Sequence, residues 1–223
     1  LSEPVSPQQQ QRWTDTTAAI AAERMQGQQA GHGFDHVSRV LRTARQIQTE
    51  TGGSRLVVDL AALLHDVGDA KFHDGLERSA EFSREILSAQ GVPQEIVEHV
   101  THIVDNISFR KGVPADQLSL EGKIVQDADR LDALGAIGIV RTIEYGAAKG
   151  QPFYLPSQRD AASPTAPTGV GHFHEKLFKL RALLNTEPAR IIALQREEFM
   201  RSFLDQFFLE CDGEVSRVPD TSL

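Results

Sequence analysis

The stretch Asp59-Leu-Ala-Ala-Leu-Leu-His-Asp-Val-Gly68 decides how the rest of the chain reads. Leu60 to Leu64 carry no charge, so the segment reads as a buried helix. The run ends in an imidazole and a carboxylate, His65 and Asp66, which are costly to bury without a partner. A divalent cation is such a partner. Gly68 lies where the helix loosens or stops. The other ligands must then come from elsewhere in the chain.

Working outward, almost everything else reads as helix. Gln11 to Gln28 carries Trp13, Ile20 and Met25 as apolar markers. Phe34 to Thr51 repeats Phe34, Val37, Val40, Leu41, Ala44 and Ile47 at helical spacing. Gly52-Gly53 ends that helix, and Ser54 is placed to cap the next. Downstream, Ser79 to Gln90 and Pro93 to Asn106 form a helix pair split by Gly91-Val-Pro93. Ser108 to Asp116 reads as a loop. Leu118 to Ala148 is helical with a break near Ala133 to Gly138.

Gly150 to Gly171 holds four of the ten prolines and is too long for an ordinary connection. It reads as a mobile lid or a disordered loop. His172 to Asn185 follows as a helix. Thr186 caps a final helix to about Glu210, with Pro188 tolerated in its first turn. No strand alternation survives. The expected fold is all-α: one helical bundle over residues 12–212, a long loop before the last two helices, and flexible ends at 1–11 and 213–223.

Composition narrows the function classes. The 223 residues are 40% hydrophobic with a net charge of -8, an acidic balance that argues against non-specific nucleic-acid binding. The single cysteine, Cys211, excludes an internal disulfide and a cysteine-based zinc site. Leu1 to Gln11 is polar and lacks a signal-peptide core. No apolar run approaches the roughly 18 residues of a membrane span. A cytoplasmic protein without a membrane or stable nucleic-acid partner is the expectation, with a homodimer open. There is no Walker loop, no zincin His-Glu-x-x-His and no nucleophile elbow.

Two further side chains are of the right type for the missing ligands. His36 falls in the first turn of the preceding long helix. Asp129 lies in Val125-Gln-Asp-Ala-Asp-Arg-Leu-Asp132. From the residues alone, each reads equally well as a surface or capping group. Together with His65 and Asp66 they make a mixed N/O set suited to Mn, Mg, Fe or Zn.

The order His…His-Asp…Asp, each on a helix, resembles the HD-domain metal-dependent phosphohydrolases, most closely their small stand-alone bacterial members. The resemblance extends to Gly33-Phe-Asp-His-Val37, Leu63-Leu-His-Asp-Val67, Asp127-Ala-Asp-Arg-Leu-Asp-Ala-Leu-Gly135, His172-Phe-His-Glu-Lys-Leu177 and Arg196-Glu-Glu-Phe-Met200. It implies that His36, His65, Asp66 and Asp129 bind a divalent metal, with Mn favoured. It also implies hydrolysis of phosphate ester or phosphoanhydride bonds, with a nucleotide as substrate.

Around that quartet, Asp69 would share the face of His65 and Asp66 on a continuing helix, as a catalytic partner of Asp66 that orients water. It reads equally as a turn aspartate. Lys71, His102, Arg130 and Lys179 are candidates for binding the phosphate, with His73 and Lys176 beside them; solvated charges are the alternative. His99, His102 and Asp105 recur at three-residue spacing and line one helical face. Such a face could hold a second metal or position a phosphate. An HD-fold di-iron oxygenase, for which His99, His102 and Asp69 are the obvious supply of extra ligands, stays open, as does a non-catalytic nucleotide sensor.

Overall fold

A computed structural model describes residues 5–27, 33–70, 73–107, 117–156 and 167–213. Among these residues there are helices and turns and no strand, so the all-α expectation holds. Their contacts gather into two compact units, Leu1–Asp132 with Leu183–Arg190, and Ala133–Ala182 with Ile191–Leu223. Each is described separately below.

The first unit is built around the apolar run. Helix α3 spans Arg55–Leu64, and every residue from Leu56 to Leu64 is buried. It packs against α1 (Pro7–Arg24), α2 (Phe34–Thr51), α5 (Gln94–Asn106) and α6 (Leu120–Leu131), while α4 (Ser79–Ala89) lies on α5. A helix enclosed by four others has no solvent-facing side to offer polar residues. Its one buried charge before the end, Asp59, is met by the Arg45 fork at 2.9 Å on both oxygens and by Arg55 Nε at 2.9 Å.

Helix starts follow the cap chemistry. Ser54 Oγ accepts from Val57 N–H and Ser119 Oγ from Gly122 N–H. The α2–α3 corner needs two successive positive φ values, 84° at Gly52 and 86° at Gly53, a conformation suited to glycine. Glu121 of α6 clasps the corner by accepting from Ser54 N–H at 2.7 Å.

Helix α1 corrects the expected N-terminal boundary. It begins at Pro7, not Gln11, because Ser6 Oγ accepts from Gln9 N–H and Pro7 fits the first helical position. Residues 7–11 are therefore helical. Residues 214–223 of the expected flexible C-terminus lie outside the described residues, as does the expected loop over 108–116.

The second unit begins where α6 ends. The expected break falls between Leu131 and Gly135, with Gly135 at φ 74° opening α7 (Gly135–Lys149). Beyond it, Gly169 N–H donates to the Pro152 carbonyl and Val170 N–H to that of Phe153. The long connection is thus tied at its base, and α8 (Gly169–Glu175) starts three residues before the expected His172 because Thr168 Oγ1 caps it. Residues 157–166 lie outside the described residues.

The helix expected over His172–Asn185 is not continuous. Lys176 leaves helical geometry, and a 3₁₀ stretch, Leu177–Leu183, follows. Three residues per turn stack Leu177 over Leu180, and both are buried. The last helix, α9, spans Glu187–Cys211. Its Phe203 and Phe207 meet Phe153 edge-on, with ring centroids 6.2 and 5.3 Å apart. No helix among the described residues is long and apolar enough to cross a membrane.

Candidate metal centre

All four expected ligands meet inside the first unit. His36 comes from the first turn of α2, His65 caps the C-terminus of α3, Asp66 follows it, and Asp129 lies in the last turn of α6. The two imidazole Nε2 atoms are 3.3 Å apart. Asp66 Oδ2 lies 3.6 Å from each of them. Asp129 Oδ1 lies 3.3 Å from His36 Nε2 and 3.9 Å from that of His65. Ligands roughly 2.0–2.2 Å from one ion stand about 3–4 Å from one another, and the separations here are of that order.

Hydrogen bonding on the far side of each ring fixes what faces the cluster. His65 Nδ1 is 2.8 Å from the Ala62 carbonyl, which only accepts. The His65 proton is therefore on Nδ1, and its Nε2 lone pair turns inward. His36 Nδ1 donates to Asp132 Oδ2 at 2.7 Å, so its Nε2 also faces the centre. Two lone pairs 3.3 Å apart repel unless a cation or a proton lies between the groups. The donor set therefore fits a divalent ion.

A proton can relieve this crowding in place of an ion. Burial alone would lower the His36 pKa, but hydrogen bonds to Asp129 and Asp132 and the charge of Asp66 outweigh it and raise the value to about 9. Burial would likewise raise Asp129, yet His36 and His65 hold it below the ordinary carboxylate range.

His36 is protonated at neutral pH without metal and must give up that proton to bind one. Mn binding at pH 7.5 is expected to release close to one proton, read by calorimetry in buffers of different ionisation enthalpy. Affinity should climb with pH and level off above about 9. The stability that this raised pKa gives the metal-free protein is complete below 6.5 and is lost as pH rises through about 9. Thermal melts with chelator should show that fall, and no proton release would refute the assignment.

The surroundings differ from the sequence expectation in several places. The helix does not continue to Asp69. It stops at His65, and Asp69 lies in a turn, its N–H donating to the Asp66 carbonyl at 3.2 Å. The cause is Gly68, whose carbonyl accepts from Arg78 N–H at 2.9 Å while its N–H donates to Ser79 Oγ at 3.1 Å. Lys71 lies outside the described residues. His73 sets its ring edge against Phe82, 5.2 Å between centroids.

His102 is exposed on α5, beside Asn106. His99 is engaged at the start of α6, 2.9 Å from Ser119 Oγ and 3.8 Å from Glu121 Oε2. Among the described residues, the group of mutually close ligand atoms is His36, His65 and Asp66; Asp129 borders it through the two imidazoles, and neither His99 nor His102 joins it. Arg130 donates from Nη1 to the Leu183 carbonyl, and its charge interacts with Asp127 and Asp129. Lys176 and Lys179 are exposed in the second unit.

Three polar residues with structural weight were not singled out by the motif. Asp132 and Arg39 back His36: Arg39 Nε donates to Asp132 Oδ1 at 2.7 Å and Nη2 to Oδ2 at 2.9 Å. The available signal was spacing, since Arg39 and Asp132 each follow a ligand by three positions and share its helical face. Asp127 is fully buried and accepts from Asn185 N–H, Asn185 Nδ2, Thr186 N–H and Thr186 Oγ1, all within 3.0 Å.

Burial pushes the Asp127 carboxyl above its ordinary value, and these donors pull it back. Its charge sits at the N-terminal end of α9, where it is favoured. Asp127→Ala strands these buried donors. It should cost about 3 kcal/mol in urea denaturation; a change under about 0.5 kcal/mol, the surface-substitution range, would contradict this role.

Comparison with known proteins places the fold in a family. The family model for the HD domain matches residues 33–134, the span that holds His36, His65, Asp66 and Asp129. The chain is 38% identical over 186 residues to YpgQ of Bacillus subtilis, covering 82% of this chain and 86% of that one. Its fold superposes on an HD-superfamily hydrolase from Bacillus thuringiensis with TM-score 0.77 and 36% identity, over 92% of this chain and 100% of that one. A crystal structure of Bacillus subtilis YpgQ in complex with ADP gives TM-score 0.75 at 32% identity, over 96% of this chain and all of the other. The chain belongs to the HD superfamily.

Proposed function

We propose that this protein is a metal-dependent phosphohydrolase that cleaves phosphate ester or phosphoanhydride bonds of nucleotides, as a nucleoside triphosphate pyrophosphohydrolase or a nucleotidase. The observation that carries the reading is the convergence of two outward-anchored imidazoles and two carboxylates, buried on one side and open on the other. The His36 and His65 side chains are 2% and 3% exposed, whereas those of Asp66 and Asp129 are 22% and 36% exposed. Solvent and substrate reach the centre from the carboxylate side. ADP bound to YpgQ supports a nucleotide.

A divalent cation bound here, with Mn the favoured one, would supply charge that acidifies water and polarises a phosphoryl oxygen. His36, His65, Asp66 and Asp129 would hold it. Asp69, in the turn after Asp66, orients the attacking water by accepting its hydrogen bond. Lys71, His102 and Arg130 offset charge on the phosphoryl oxygens. No covalent nucleophile is required.

The direct test is a panel of nucleoside mono-, di- and triphosphates with Mn, assayed for phosphate and pyrophosphate. Turnover by the parent chain and its loss in Asp66→Ala are expected. Retained turnover in Asp66→Ala would sink the assignment.

A further inference from the structure

We infer that Arg39 and Asp132 form a positioning pair that holds His36 in its metal-binding tautomer. The inference rests on the metal-centre reading but not on which bond is cleaved. Asp132 is 4% exposed and sits at the C-cap of α6, one helical turn beyond Asp129. Its Oδ2 accepts from His36 Nδ1 and Arg39 Nη2, and its Oδ1 accepts from Arg39 Nε. From His36 and Arg39 alone this carboxylate takes three donors, two of them from a rigid planar fork. Arg39 lies one turn after His36 on α2, so α2 carries both the ligand and the clamp for its partner.

The arrangement is specific to a carboxylate. An amide at position 132 offers one acceptor where two are used. If Asn kept its oxygen toward His36, its NH₂ would face the Arg39 Nε–H, donor against donor. If it kept its oxygen toward Arg39, its NH₂ would face His36 Nδ1 and force the ring proton onto Nε2, the atom that must ligate. Either way the substitution transmits to the centre without altering a ligand or the side-chain volume.

The experiment measures Mn affinity of the full chain by calorimetry, and histidine tautomers of the Zn-loaded protein by long-range ¹H–¹⁵N NMR. Asp132→Asn should bind Mn roughly 10–100-fold more weakly and shift His36 toward the Nε2–H form. Arg39→Gln, which leaves the carboxylate but removes the fork, should weaken binding less and in the same direction; it decides the matter if Asp132→Asn does not fold. Arg45→Gln breaks the comparable fork on Asp59, away from the ligands, and should leave Mn affinity unchanged.

Parent-like Mn affinity in folded Asp132→Asn or Arg39→Gln overturns the pair. So does an equal loss in Arg45→Gln, or an Nε2–H His36 in the Zn-loaded parent. A parent that binds no Mn removes the centre and this inference together. A parent that binds Mn but hydrolyses no nucleotide removes only the proposed reaction, and the variants still decide the role of Arg39 and Asp132.

Discussion

His65→Ala will bind Mn at least about 100-fold more weakly than the parent chain, a larger loss than for a residue behind a ligand. His65 is the least replaceable of the four. Its ring is fixed from behind by the Ala62 carbonyl, and it ends the helix around which the first unit is packed. Without it, His36 alone stands beside Asp66 and Asp129, 3.6 and 3.3 Å away, and keeps its proton. The proposed nucleotide turnover should fall with the affinity. Calorimetry beside circular dichroism separates this from unfolding, and Mn affinity within about threefold of the parent in folded His65→Ala, under 1 kcal/mol, would remove His65 from the centre.

Gly68→Ala should be the most destabilising single-methyl change in the first unit. A Cβ at position 68 would stand 2.6 Å from both the Arg78 carbonyl carbon and the Ser79 nitrogen. Those atoms are backbone and cannot rotate away, so either the turn or the start of α4 must move. The Arg78 N–H to Gly68 carbonyl and Gly68 N–H to Ser79 Oγ bonds go with it. Overpacking of this kind costs about 3 kcal/mol, near 10 °C in melting temperature for a chain of this size. Because the turn also sets Asp66, Mn affinity should drop in the folded fraction. An unchanged melting temperature would show that the approach of α4 is looser than these distances.

How much of this was legible without coordinates depends on how far apart the partners lie. The buried α3 and the polar pair at its end are readable because an uncharged run followed by His65-Asp66 has few physical explanations. His36 and Asp129 became legible through the family pattern. Arg39 and Asp132 did not, because a charge at helical spacing usually means a solvated face; only the packing of α2 on α6 turns these two toward each other. Asp127 was equally opaque, since its donors, Asn185 and Thr186, lie beyond the second unit's first segment in sequence.

Asp69 was open between a helical and a turn reading for a related reason. Local pattern alone favours helix through Val67, whereas the stop is imposed by Arg78 and Ser79. Thr186 shows the same limit: its position at the start of α9 was readable, but its hydroxyl donates to Asp127.

The placement of the four proposed ligands on α2, at the end of α3 and just beyond it, and on α6 has a thermodynamic consequence for the protein as a whole. One ion would join three helices that the chain otherwise connects only through packing and loops, so it acts as a reversible cross-link. Above its dissociation constant, each tenfold rise in free ion adds about 1.4 kcal/mol to the folded state. Resistance to proteolysis of the first unit would then gauge the metal supply around it, and a starved chain would be cleared faster than a replete one.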